Sequence, residues 1–159
     1  MWLKTFVCVV LLGLPVTWGR AQDKTADLAI VVAKDRALDN LTSEDLKKIF
    51  RAEKSKGSDG VRFVILARDP GSPERNAALA DIYQMEESDY SKYFLQATFI
   101  GLVQTAPKEL SSPEAVRRYL AHAAGGIGYL RATDADDSVK IVKVDGKLPG
   151  EPGYALKIK

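Results

Sequence analysis

Three features of the 159-residue sequence predict an α/β layered fold. Short continuous apolar runs, LAIVVA at 28–33 and VRFVILA at 61–67, have the length and composition of buried strands. Between and after them lie stretches with apolar residues at helical spacing. Most of these stretches open on a residue suited to capping a helix. Strands alternating with helices imply a sheet covered by helices. With 46% apolar and 28% charged residues, the composition is that of an ordinary globular domain. It excludes a disordered tail, a collagen-like fibre and a disulfide scaffold.

The elements follow in order. Leu28–Ala33 is apolar throughout and reads as a strand buried on both faces. In NLTSEDLKKIF, Thr42 is the N-cap, with Asp45 three residues on. Leu41 and Leu46 stand at the two positions of a hydrophobic staple. Leu46, Ile49 and Phe50 then share one helical face. Residues 51–60 are polar and contain Gly57 and Gly60, a loop. Val61–Ala67 is the second strand. In RDPGSPERNA, Ser72 suits the N-cap and Pro73 the first helical position, with Leu79, Ile82 and Tyr83 on the buried face. Tyr90, Tyr93, Phe94 and Ala97 predict a helix running to about Gly101. Ser112-Pro113-Glu114 opens another, with Val116, Tyr119 and Leu120 inward and Gly125-Gly126 at its end. Ile127–Leu130 and Val139–Val144 read as strands. Tyr154, Leu156 and Ile158 alternate with smaller or charged residues, the pattern of a half-buried edge strand.

The N-terminus has a different character. Lys4 precedes an apolar run from Thr5 to Val16, and the small residues Gly19 and Ala21 stand at −3 and −1 of a cut after Ala21. Residues 1–21 therefore read as a secretory signal peptide, with a single domain at 22–159 and a periplasmic or secreted destination. The run is shorter than the roughly 20 apolar residues of a membrane span. Cys8 lies inside it, which is not a lipoprotein site. Cleavage removes Lys4 and Arg20, so the 23 basic residues become equal in number to the 21 acidic ones. It also removes the one cysteine and both tryptophans, Trp2 and Trp18. The remaining chain has no thiol chemistry, no charge excess suited to nucleic acid, and no later stretch that would span a membrane.

Few residues promise catalysis. One histidine, His122, without cysteine does not assemble a usual zinc site, and no nucleophile-elbow motif accompanies it. It sits in the last turn of a helix, where a cation is mildly favoured. Asp134, Asp136 and Asp137 lack the spacing and terminal Glu of a calcium loop and read as a solvated turn. Lys54 and Lys56 read as solvating charges. The expectation is a protein that is not an enzyme and carries no cofactor. The segment 67–77 has more content: a strand ends, a Gly turn follows and a helix begins. Its free N–H groups, the Ser72 hydroxyl and the Arg75 guanidinium are suited to an oxyanion. An ordinary capped helix presents the same N–H groups.

The ordered pieces NLTSEDLKKIF, VRFVILARDPGSPERNA, AAGGIGYL and VKIVKVDG resemble the periplasmic phosphate-binding proteins of ABC transporters, and more closely their short PBP-like domain relatives, over residues 27–158. The resemblance implies a type 2 periplasmic-binding-protein lobe, a mixed sheet flanked by helices. In that family the turn R-x-x-G-S-G-T-R holds the oxyanion. Here it is Arg68-Asp69-Pro70-Gly71-Ser72-Pro73-Glu74-Arg75, which implies phosphate or another oxyanion at Arg68, Gly71, Ser72 and Arg75. Pro73 replaces a Gly and removes one backbone donor. Glu74 replaces a Thr. If it points into the site, a like charge about 4 Å from the anion costs roughly 4 kcal/mol at an effective dielectric of 20. A helix terminus returns only about 0.3–2 kcal/mol. If it points away, Ser72 and Arg75 remain available. In full-length members, the segment resembling LAIVVA enters the second lobe and the one resembling VKIVKVDG leads back. This chain is therefore expected to be essentially one lobe, with half a cleft. It would bind an oxyanion weakly, dimerise to complete the cleft, or serve as an interaction or sensory module for a protein partner.

Overall fold

Every residue of β1 (Leu28–Ala33) except the last is buried, because the strand lies inside a sheet covered on both faces. The computed structural model describes residues 27–103 and 106–159; the segment read as a signal peptide lies outside the described residues. The other strands are β2 (Asn40–Leu41), β3 (Val64–Arg68), β4 (Lys108–Leu110), β5 (Gly126–Arg131) and β6 (Val139–Val144). Their order across the sheet is β2-β6-β1-β5-β3-β4. β1 runs antiparallel to both neighbours, with Ile30 opposite Tyr129 on one side and Val142 on the other. β2 is parallel to β6, and β3 is parallel to both β4 and β5. The sheet is mixed, with β1 alone running against the rest.

The helices are α1 (Ser43–Phe50), α2 (Pro73–Ala78), α3 (Glu87–Phe99) and α4 (Pro113–His122). The two-residue period of β1 divides the core. Leu28, Ile30 and Val32 pack with Leu46, Ile49 and Phe50 of α1, Ala77 and Ala78 of α2, and Tyr90 and Phe94 of α3. Ala29 and Val31 pack on the opposite face with Val116 and Leu120 of α4. Three predicted N-caps form as read. Thr42, Ser72 and Ser112 each accept from the backbone N–H three residues on.

Some boundaries differ from the sequence reading. β3 begins at Val64, because Phe63 N–H donates to the Ser55 carbonyl and Arg62 bridges to Lys56 outside the sheet. The helix after Pro73 continues as a π-helical turn over Leu79–Tyr83 and stops at Gln84, which is left-handed at φ 55°. Gly126 belongs to β5 and not to the end of α4. Tyr154–Ile158 is not a strand. Its side chains Tyr154 and Leu156 are buried, but only Lys157 bridges, to Asp27. β2 and β4, of two and three residues, are too short to show a period. No helix among the described residues is long and apolar enough to cross a membrane.

Because β3, β4 and β5 are parallel, their carboxyl ends lie at one end of the sheet. Open α/β sheets bind ligands just outside such ends. Arg68 closes β3, Arg131 closes β5, and the 69–72 turn leads from Arg68 into α2.

Candidate functional site

The turn is built by two residues. Gly71 takes φ +83°, a left-handed value that a Cβ would strain. Ser72 then caps α2, its hydroxyl donating to the Asp69 carbonyl at 2.9 Å and accepting from Arg75 N–H at 3.2 Å. The hydroxyl is thus engaged on both sides. Arg68 is nearly buried and turns toward β4, donating through Nε to the Leu110 carbonyl at 3.2 Å and through Nη2 to that of Ser111 at 3.3 Å.

Arg75 is wholly buried at 0% exposure. Its guanidinium donates from Nε and Nη2 to the two carboxylate oxygens of Glu87, at 3.1 and 2.7 Å. Nη1 donates to the Arg68 carbonyl at 3.2 Å. A second carboxylate, Glu109, stands 3.8 Å from Nη2, and the Tyr90 ring lies beneath at 4.0 Å. Burial is the largest single influence and opposes the charge, but the hydrogen bonds donated to Glu87, together with the charge interactions with Glu87, Tyr90 and Tyr129, outweigh it and hold the guanidinium above its ordinary pKa. Burial pushes the Tyr90 hydroxyl up to about 12 and those of Tyr83 and Tyr129 upward as well. The Tyr83 hydroxyl is buried with no well-formed hydrogen bond among the described residues, only a weak interaction with the Tyr90 hydroxyl.

Glu74, 7% exposed, pairs with Arg131 Nε at 3.3 Å. Its carboxylate therefore has a cation of its own. The structure brings Arg68, Gly71, Ser72 and Arg75 together at one turn, as the sequence arrangement requires. It also adds Glu87, Glu109 and Arg131, which sequence reasoning did not single out. Three arginines and three glutamates gather at this end of the sheet, with Asp69 in the turn itself, so there is no local excess of positive charge. Glu87 reaches Arg75 because the π-helical turn and the left-handed Gln84 fold the first turn of α3 back over the start of α2. No regular spacing signals that contact.

The remaining sequence candidates lie elsewhere. His122 lines a separate recess of about 680 Å³ with Arg36 and Asp59. Arg36 is held there by Asp59 at 2.9 Å. Arg117 binds the 134–137 loop, reaching the Asp134 carbonyl at 2.6 Å and the Asp136 carboxylate at 3.1 Å. Lys54 pairs with Asp45 at 2.8 Å. Among the described residues no group of three or more His, Cys, Asp or Glu side chains is placed to hold a metal ion.

No protein-family model matches the chain. Its fold is similar to that of a protein from Clostridium perfringens assigned as a phosphate ABC transporter substrate-binding protein and solved with bound phosphate. The two share 20% identity at a TM-score of 0.62, over 78% of this chain and 47% of that one. It is also similar to an ABC-type phosphate transport receptor from Vibrio cholerae, at 18% identity and a TM-score of 0.58 over 78% and 48%. For PstS from Borrelia burgdorferi the values are 17% and 0.63 over 84% and 55%. The chain spans about half the length of these structures. It has the fold of one lobe of a type 2 periplasmic binding protein, of the kind seen in phosphate receptors.

Proposed function

We propose that this protein is an exported, solute-binding-like lobe whose oxyanion site at the 71–75 turn is vestigial. The observation that carries this reading is the two-point contact between Glu87 and Arg75. A guanidinium offers an oxyanion the same planar pair of donors that it offers a carboxylate. With Glu87 on both donors, phosphate would have to displace a built-in anion and then face Glu109. Pro73 contributes no N–H, and the Ser72 hydroxyl already has two partners. Arg68, Gly71, Ser72 and Arg75 then act as scaffold for the turn, and no chemical step is assigned to them.

Thermal unfolding of the full chain, followed by circular dichroism with and without millimolar phosphate, tests this. Sulfate at matched ionic strength is the control. A ligand at 100 times its Kd stabilises by about 2.7 kcal/mol. For a chain of this size that is a shift of roughly 5–10 °C. We expect no shift beyond that of sulfate; a phosphate-specific shift of that size would overturn the reading.

A second reading follows from a separate observation. Leu95, Phe99, Ile100 and Leu102 are all exposed within eight positions, at 75%, 90%, 65% and 55%. An apolar cluster of this kind on a polar surface suits an interaction or sensory module that uses the lobe as a scaffold.

A further inference from the structure

The exposed cluster has a defined setting. α3 ends in a Schellman turn, in which Leu102 N–H donates to the Ala97 carbonyl at 2.8 Å and Gly101 N–H to that of Thr98 at 3.2 Å. Gly101 takes φ +73° and reverses the chain. In such turns the residue after the glycine frequently packs back on its helix. Here Leu102 stays half exposed and forms one wall of a recess of about 500 Å³. Ile49, Phe63 and Val103 are buried core residues in its lining, and Val64 and Pro107 flank them.

The charge around this recess is one-sided. Lys54, Arg62 and Lys108 line it, and among the described residues no Asp or Glu does. Lys54 is paired with Asp45 at 2.8 Å. Arg62 is exposed and has no carboxylate partner among the described residues. Lys108 stands over the Tyr119 ring at 5.3 Å and has no carboxylate partner among them either. Two cations are thus left beside an exposed apolar surface, whereas Arg75 and Arg131 at the turn site are each paired with a glutamate.

We infer that this recess and the adjoining tip of α3 dock an acidic segment of a partner protein, one that carries large apolar side chains among Asp and Glu. The proposal rests on the second reading above. Charge complementarity selects this occupant. A second copy placed across a twofold axis would set Arg62 and Lys108 against themselves. A planar lipid surface would meet Phe99 and Ile100 but leave the recess unfilled. An acidic segment neutralises both cations while its apolar side chains cover Leu102 and Val64.

A random peptide library displayed on phage and panned against the immobilised full chain tests this directly. The expected result is enrichment of peptides in which Asp or Glu alternates with Leu, Phe or Trp. Binding of a selected peptide should weaken about tenfold in R62E, weaken in K108E, and fall with added salt. L102D tests the apolar half, and the two charge variants alter only exposed side chains. Enrichment of basic or uncharged peptides, absence of enrichment, or unchanged binding in all three variants would overturn the proposal. So would phosphatidylglycerol-vesicle binding or self-association that F99D abolishes, since either names a different occupant. Neither outcome tests inorganic phosphate at the 71–75 turn, and docking of a different occupant would overturn the acidic segment while leaving the interaction-module reading standing, so the failures are distinguishable.

Discussion

Glu87 closes on Arg75 with both carboxylate oxygens, although the two residues belong to different helices separated by a π-helical turn. The contact sets the character of this end of the sheet. Arg75 is completely buried, and a buried guanidinium persists only with its donors satisfied. Glu87 satisfies two, the Arg68 carbonyl a third, and Tyr90 covers the face of the group. The same contact makes Arg75 a structural element that joins β3, α2 and α3.

Replacement of Arg75 by alanine is therefore expected to destabilise the fold by about 3 kcal/mol, near the lower end for a broken buried pair, because Glu87 is partly solvated and can be rehydrated. Urea denaturation followed by circular dichroism measures this. A loss below about 0.5 kcal/mol, as for an ordinary surface change, would show that Arg75 does not join these elements.

The Tyr83 hydroxyl provides a prediction of the opposite sign. It is buried without a well-formed hydrogen bond among the described residues, while its ring packs edge-on against Tyr90 at 4.9 Å and Phe50 at 5.7 Å. Tyr83→Phe keeps the ring and removes a desolvated polar group, so it should stabilise by up to about 1 kcal/mol. A clear loss of stability in the same denaturation experiment would mean that the hydroxyl has a partner.

Alkaline pH should act through Tyr90. Burial raises its hydroxyl from 10 to about 12 in the folded protein. The unfolded chain therefore gives up this proton first. The stabilisation is complete below pH 10 and is lost as pH rises from 10 to about 12. That difference corresponds to roughly 3 kcal/mol. Tyr90→Phe retains the ring over Arg75 and should make the alkaline fall in urea midpoint shallower, with Tyr83, Tyr129 and Tyr154 supplying the remainder. An identical alkaline profile in the variant would refute the assignment.

What was legible in the sequence was mostly local. The continuous apolar run of β1 and the caps Thr42, Ser72 and Ser112 depend on neighbours a few residues away. Each is found where the residue types place it. β2 and β4 were not legible, because their pairing is set by β6 and β3 and not by any pattern of their own. Tyr154 looked like part of a strand because it is buried, but its hydroxyl donates to the Leu28 carbonyl at 2.7 Å from a segment with no ladder. At the turn, Arg68, Gly71, Ser72 and Arg75 could be read from contiguous sequence. Glu87, Glu109 and Arg131 could not, since tertiary folding brings them from α3, β4 and β5. The orientation of Glu74 depended on that same folding, and Arg131 draws its carboxylate.

The most direct measurement is a calorimetric titration of phosphate into the full chain and into the double variant Glu87→Ala, Glu109→Gln, at matched ionic strength. Removing the built-in carboxylate uncovers the Arg75 donors to solvent, and removing the charge of Glu109 lifts the nearby repulsion. The account predicts no phosphate heat from the natural sequence and saturable, millimolar-range binding by the variant. Tight phosphate binding by the natural sequence, undiminished or unimproved in the variant, would contradict it.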